Sequence, residues 1–404
     1  MFIVIEKREK MKILVVDSSN SSMKFSLFDE SSDKLLLSGL FERIGFEGSK
    51  YTISFADQNI TEEIDIPDTD SAVELLFMKL QDLNLIDSSD DIGAVGHKII
   101  HGGDKYGDSV LINDYVISEL EKLINLAPLH TSASLKGIKS FQKKLPNAKM
   151  IGVFDTAFYK NMDSEKYLYP VPYKWYVDYG VRKYGFNGIN HSSILKEIKD
   201  DLGKTDFKLI SCYVDKIVSI SAIDNMTCVD TSMGFTPLGG AMMSTRSGEI
   251  DSSIIPFIME KEGKSASEVI EDLNKSSGLL GMSEYSNSIF DVLEKAESGD
   301  EKCRIAKNKY IRRIVDYISQ YYVLLGGVDV ISFSGNVLSK SAALRREICE
   351  KLAVLGVKLD LDLNSKIDNF GKINSSSANI LLYVVNNDEV KSIADEVFKM
   401  IGNR

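Results

Sequence analysis

Two hydrophobic spacings alternate along this chain. Short apolar runs at residues 12–16 (KILVV), 25–29 (FSLFD), 92–100, 149–154, 207–214, 218–223, 328–333 and 378–385 predict strands. Between them, apolar positions recur at helical spacing. This predicts helices over 68–85, 116–126, 135–141 and 341–355, and one including Val269 and Ile270. A long helix presents Ile311, Ile314, Val315, Ile318, Tyr321, Tyr322 and Leu325 on one face, and Gly326-Gly327 stop it. Ser265 and Glu268 have the spacing of a capping box. Ala127 to His130 (APLH) breaks the helix before it, and a closing helix starts at Asn386-Asn387-Asp388-Glu389. Strand–turn–strand occurs twice, at 12–29 and 207–223, each time followed by further strands and helices. That repetition predicts a duplicated α/β domain.

Length and charge narrow the classes. A chain of 404 residues is expected to hold about two domains. Its formal net charge is -11, a poor match to non-specific nucleic-acid or anionic-membrane binding. Cys212, Cys228, Cys303 and Cys349 form no CxxC pair, which fits reduced thiols in a cytoplasmic protein better than a disulfide framework or a zinc site. There is no HExxH among the four histidines. No apolar run approaches the roughly 18–20 residues that span a bilayer. Residues 1–10 (MFIVIEKREK) read as an N-terminal extension, because the cleaner strand begins after Met11.

Candidate chemistry sits at strand ends and in one small-residue stretch. The turn after the first strand reads Asp17-Ser-Ser-Asn-Ser-Ser22-Met-Lys24. Short hydroxyl side chains let backbone N–H groups approach a phosphate, and the aspartate could hold magnesium through water; an ordinary hairpin turn has the same composition. Lys98 and Ile100 precede two glycines at a strand end, where ligands sit in α/β proteins. Asp155 follows an apolar strand directly, as a general base, a metal-orienting group or a simple cap would. Residues 167–184, rich in Tyr and Pro, read as an aromatic wall between domains and lead into YGFNGINH, whose His191 reads as structural. Residues 229–255 are dense in Gly, Ser and Thr and carry Arg246 between small neighbours, open to phosphate or carboxylate recognition or to simple solvation.

Taken together, GHKIIHGG, APLH, GVFDTAF, YGFNGINH, VDTSMGFTPLGGAMMSTRSGEIDSSIIPF, LNKSSGLLG and LGGVDVISFSG resemble the acetate kinase family, from Lys12 to the C-terminus. The resemblance implies an α/β fold of two similar actin- or ribonuclease H-like domains flanking an interdomain cleft. The first would comprise 11–155 plus 388–404 and the second 156–387, with 1–10 as the extension. It also implies reversible conversion of acetate and ATP to acetyl phosphate and ADP with magnesium, and a homodimer paired through the second domain. Carried over by position, Asp155 would orient acetate or a magnesium-bound water, and Arg246 would stabilise the equatorial phosphoryl oxygens. Ile100, Leu129, Phe186 and Pro237 would line the acetate pocket.

The sequence departs from the family elsewhere. Lys98 stands where the family has a second arginine, and Asn187 where it has a histidine. The first turn, NAGSSS in the family, is DSSNSS here, with Asp17 able to serve magnesium and Lys24 following. The second phosphate loop, HLGNG in the family, is Tyr213-Val-Asp-Lys216-Ile217 and has lost both glycines. The adenosine-side DxR becomes Ser288-Ile-Phe290. The glycine-rich segment near the base, GIGEN in the family, follows Gly335 as Asn336-Val-Leu-Ser-Lys340. Asp388, or alternatively Glu389, matches the magnesium-side glutamate. The acetate side therefore reads as kept and the nucleotide side as rebuilt. Three readings follow: an acetate kinase-like phosphotransferase, impaired or using another phosphoryl donor; a non-catalytic relative with a binding or regulatory role; and a kinase for a longer carboxylate, which the unaltered pocket residues disfavour.

Overall fold

A computed structural model describes residues 11–29, 34–56 and 58–402, with the side chains of residues 128 and 129 excepted. The extension at 1–10 lies outside the described residues. The chain forms two compact units, one reaching Ala157 and taking back Asp388 onward, the other running Phe158–Asn387.

In the first unit the strands are β1 (Lys12–Ser18), β2 (Ser22–Asp29), β3 (Leu35–Glu42), β4 (Lys50–Phe55), β5 (Gln58–Glu63), β6 (Ile92–Ile99), β7 (Val110–Leu111) and β8 (Lys149–Phe154). They order as β5-β4-β3-β2-β1-β6-β8-β7. β1 to β3 form an antiparallel meander, while β1, β6 and β8 run parallel. The parallel strands are apolar almost throughout because both of their faces are covered. Leu14, Phe25, Phe41, Leu76, Leu120 and Phe141 lie in one core. The Glu389–Ile401 helix returns to this sheet with Ile393, Ala394, Val397 and Phe398 buried. It comes so close that a Cβ on Gly96 of β6 would lie 2.5 Å from Val397 Cγ2.

The second unit contains β9 (Lys208–Val214), β10 (Val218–Asp224), β11 (Thr227–Thr231), β12 (Val330–Ser334), β13 (Phe370–Lys372) and β14 (Leu381–Val385), ordered β11-β10-β9-β12-β14-β13. β9 pairs antiparallel with β10 and parallel with β12, which pairs parallel with β14. The run β11-β10-β9-β12-β14 thus repeats β3-β2-β1-β6-β8 in order and in direction, so the two hairpins legible in the sequence are the openings of a duplicated topology. The Glu301–Leu324 helix buries Ala306, Ile311, Ile314, Ile318 and Tyr321, and the Ser265 capping box is formed.

Several expected boundaries shift. The helix expected over 135–141 begins at Pro128 and continues to Lys144. Proline suits a first turn, where its missing N–H costs nothing, so APLH opens this helix as well as ending the previous one. The Gly188–Leu202 helix rises directly from the glycine-rich segment. β3 to β5 were not legible as strands. β4 alternates weakly, and all six residues of β5 are exposed.

Candidate functional site

Asp17, Lys98 and Asp155 lie at or just beyond the C-terminal ends of β1, β6 and β8, three adjacent parallel strands. Neighbouring strand ends bring them together although the sequence separates them widely. Lys98 Nζ lies 2.8 Å from Glu389 Oε2 and 3.5 Å from Asp17 Oδ2, and only 12% of its side chain is exposed. Burial alone would lower the pKa of this amine. The carboxylates of Glu389, Asp17 and Asp155 outweigh burial and raise it, so the ammonium stays charged. Three carboxylates around one ammonium leave a surplus of negative charge. That suits a magnesium ion, which takes one or two carboxylates together with water and phosphate oxygens.

Asp155 is buried, and its amide donates to Ile99 O at 2.9 Å. Thr156 Oγ1 accepts from Gly102 N at 2.9 Å, fixing the turn after β6. Ile100 in that turn is half-buried. The side chain of Leu129 lies outside the described residues. Lys24 is exposed and pairs in register with Asp17. Asp388 caps the closing helix, its Oδ1 accepting from Val390 N and Lys391 N. Glu389, the next residue, is the one that reaches Lys98.

In the second unit Arg246 sits on a tightly held turn. Met243 N donates to Arg246 O, Ser247 N to Leu273 O and Glu249 N to Gly240 O, at 2.9–3.0 Å. Gly278 has φ +62, and a Cβ there would lie 2.2 Å from Met243 O, so LNKSSGLLG forms the floor of this turn. The Arg246 side chain is half-buried, and burial lowers its pKa. Among the described residues it makes no ion pair, which leaves its N–H fork for an incoming anion.

Asn187 is buried with φ +66 at the start of the Gly188–Leu202 helix, and its Oδ1 accepts from Asn190 Nδ2 at 2.8 Å. Phe186 is buried, and its carbonyl accepts from Tyr159 Oη at 2.5 Å. Pro237 is half-buried in the loop after β11. That loop is held by contacts the sequence did not reveal. Tyr169 Oη accepts from Phe235 N at 2.8 Å, and Gly234 O accepts from Tyr184 N and Gly185 N. A Cβ on Gly234 would lie 2.2 Å from Tyr169 Oη. The aromatic richness of 167–184 was visible in the sequence; the loop it clamps was not. His191 is structural as expected. It is buried between Ser211 and Ser219 at 2.8 and 2.9 Å, and burial lowers its pKa to about 3.

Asp215 and Lys216 form the tip of the β9–β10 hairpin. Asp215 Oδ2 accepts from Asn336 Nδ2 at 2.9 Å, just beyond the end of β12. Gly335 has φ +77, and a Cβ there would lie 2.5 Å from Val214 O. Ser288 caps the Ile289–Glu297 helix, and Phe290 within it is 46% exposed.

A repeated sheet of this order marks the duplicated actin-like fold class. Within that class the chain belongs to the acetokinase family, whose model matches residues 12–395. It is 41% identical over 394 residues to an acetate kinase of Bacillus cytotoxicus, covering 97% of this chain and 99% of that protein. Its structure is similar to that of Porphyromonas gingivalis acetate kinase, with a TM-score of 0.92 and 34% identity over 97% of this chain and 100% of that one. It is also similar to a propionate kinase from Francisella tularensis, with a TM-score of 0.89 and 32% identity over 96% and 98% of the two chains.

Proposed function

We propose that this protein transfers the terminal phosphoryl group of ATP to acetate, reversibly, giving acetyl phosphate and ADP. A carboxylate oxygen of acetate bonds to the terminal phosphorus as the bond to the leaving ADP oxygen breaks, and ADP keeps that electron pair. Acetate is already ionised at neutral pH, so no proton has to be removed. Catalysis then consists of positioning and charge stabilisation.

The observation that carries this reading is the Arg246 turn, a half-buried guanidinium on a rigid loop with no ion-pair partner among the described residues, in a chain 41% identical to an acetate kinase over nearly its whole length. Arg246 would bind the equatorial oxygens of the transferring group, and Asn187 would donate a hydrogen bond to it. Lys98 would add a fixed positive charge, and Asp155 would orient the acceptor. Ile100, Leu129, Phe186 and Pro237 would enclose the methyl group. Magnesium would be held by Asp17 and Glu389, in place of Asp388 whose carboxylate caps a helix, and would neutralise charge on the nucleotide phosphates. Lys24, Lys216, Ser288, Phe290, Gly335 and Asn336 would contact the nucleotide. The non-catalytic reading draws only on the altered loops, and those loops bear on the donor and leave Arg246 and Asp155 in place.

Acetyl phosphate formation, followed with acetate, magnesium and a panel of nucleotides plus pyrophosphate, tests the assignment. Arg246→Ala should lower kcat by about 10²–10³, as loss of a transition-state donor does. Wild-type turnover no higher than this variant with every donor would reject it.

A homodimer is part of the proposal. Ile250, Ile254 and Met282 line one cavity of the second unit while remaining more than a third exposed, and Phe257 on the helix that starts at Ile254 is 57% exposed. Burial of such apolar surface is what a stable pairing supplies. Light scattering should give twice the 45.0 kDa of one chain, and the single-chain mass at micromolar concentration would refute pairing. No described helix is long and apolar enough to cross a membrane. The cysteine pattern supports a cytoplasmic location.

A further inference from the structure

We propose that the Asp215 carboxylate acts as a built-in anion at the tip of the β9–β10 hairpin and sets the affinity for the phosphoryl donor. The inference rests on the kinase reading and goes beyond it to donor specificity.

The place is one where ligands collect. β9, β12 and β14 are adjacent parallel strands, and Asp215, Asn336 and Asn386 follow their C-terminal ends. In the duplicated first unit the corresponding strand ends carry Asp17, Lys98 and Asp155. A hairpin tip receives phosphate when its backbone N–H groups point outward, unpaired and uncrowded by side chains. Here the N–H groups of Asp215 and Lys216 are spoken for. Asp215 N donates to Ile217 O at 2.8 Å across the tip. Lys216 N donates to Asp215 Oδ1 at 2.8 Å. From the neighbouring strand end, Asn336 Nδ2 donates to Asp215 Oδ2 at 2.9 Å. One carboxylate therefore takes up a backbone amide and a side-chain amide from two different elements, as a phosphate oxygen would.

The arrangement is held from below. Gly335 can take φ +77 and let the backbone of residue 335 press on Val214. Ser244 N donates to Lys216 O at 3.2 Å, tying the tip to the segment that leads into the Arg246 turn. A polyphosphate arriving here meets like charge and finds Asp215 N, Lys216 N and Asn336 Nδ2 already engaged. Asp215 has to release Lys216 N and Asn336 before phosphate can be received, and this lowers nucleotide affinity without touching the acceptor side. Asp215 is accordingly a specificity-determining residue acting against long, highly charged donors.

Asp215→Asn keeps the shape and removes the charge; Asp215→Ser also opens space. Each variant is compared with wild type by calorimetric titration of magnesium-ADP and by steady-state kinetics at varied ATP and varied acetate. The expected result is that Kd for ADP and KM for ATP fall at least tenfold in both variants while KM for acetate stays within twofold. Unchanged or weaker nucleotide binding in both variants would overturn the proposal. So would weaker binding restored by excess magnesium, because it would make Asp215 a metal ligand. The ADP titration needs no turnover. A wild type inactive with every donor would count against the kinase reading, while an unmoved Kd for ADP would count against the role of Asp215.

Discussion

Lys98 shows how much a single side chain can be asked to do. Its ammonium is nearly buried, touches Glu389 and Asp17, and feels Asp155. An arginine at this position would offer a planar fork of five donors; lysine offers a compact charge on a flexible stem. With Glu389 already engaging it at 2.8 Å, the charge serves the site as much by holding carboxylates in place as by meeting substrate. Lys98→Met should therefore lower kcat by about 10²-fold, on the scale of a lost electrostatic donor, while Lys98→Arg should stay within about tenfold of wild type. Steady-state kinetics with acetate and ATP check both. A Lys98→Met enzyme with wild-type kcat would reduce Lys98 to a structural ion pair.

At the scale of elements, what the sequence disclosed follows periodicity and caps. The β1–β2 and β9–β10 hairpins, the Glu301–Leu324 helix and the Ser265 box all rest on local spacing, and local spacing survives folding. β5 was hidden because no buried face imposes alternation on it. Which of Asp388 and Glu389 pairs with Lys98 was hidden for a different reason. Both sit in one helical turn, where either could cap the helix. Which of them faces Lys98 depends on how the helix seats against β6, and Gly96 against Val397 decides that seating. The Asp215–Asn336 bond likewise joins residues 121 apart, because strand order, invisible in a window of sequence, makes β9 and β12 neighbours. The sequence singled out Asp155 and Arg246 by their surroundings, but the part that Tyr169 and Gly278 play in steadying the loops became evident only from the contacts they make.

For the whole molecule, the buried histidines make stability sensitive to acid. Burial lowers His97 and His191 to about 3 and His101 to about 4, below the ordinary value near 6.5. Between those values the unfolded chain binds protons that the folded chain refuses, so stability rises with pH across this window and falls as pH drops below about 6.5. Each histidine contributes up to about 1.4 kcal/mol per pH unit there. Urea unfolding between pH 4.5 and 7.5 should show a steep loss on the acid side. His191→Gln should make that loss shallower by about one proton's worth. An identical slope in the variant would show that His191 takes no part.

The return of residues 388–404 to the first unit has a consequence for biosynthesis. A ribosome delivers strands β1 to β8 of that unit early, yet the helix that covers β6 and supplies Glu389 emerges only after the whole of the other unit has been made. The earlier half must wait, with an apolar sheet face uncovered, for its last piece. Nascent chains stalled before residue 388 should therefore engage chaperones through the half that was synthesised first.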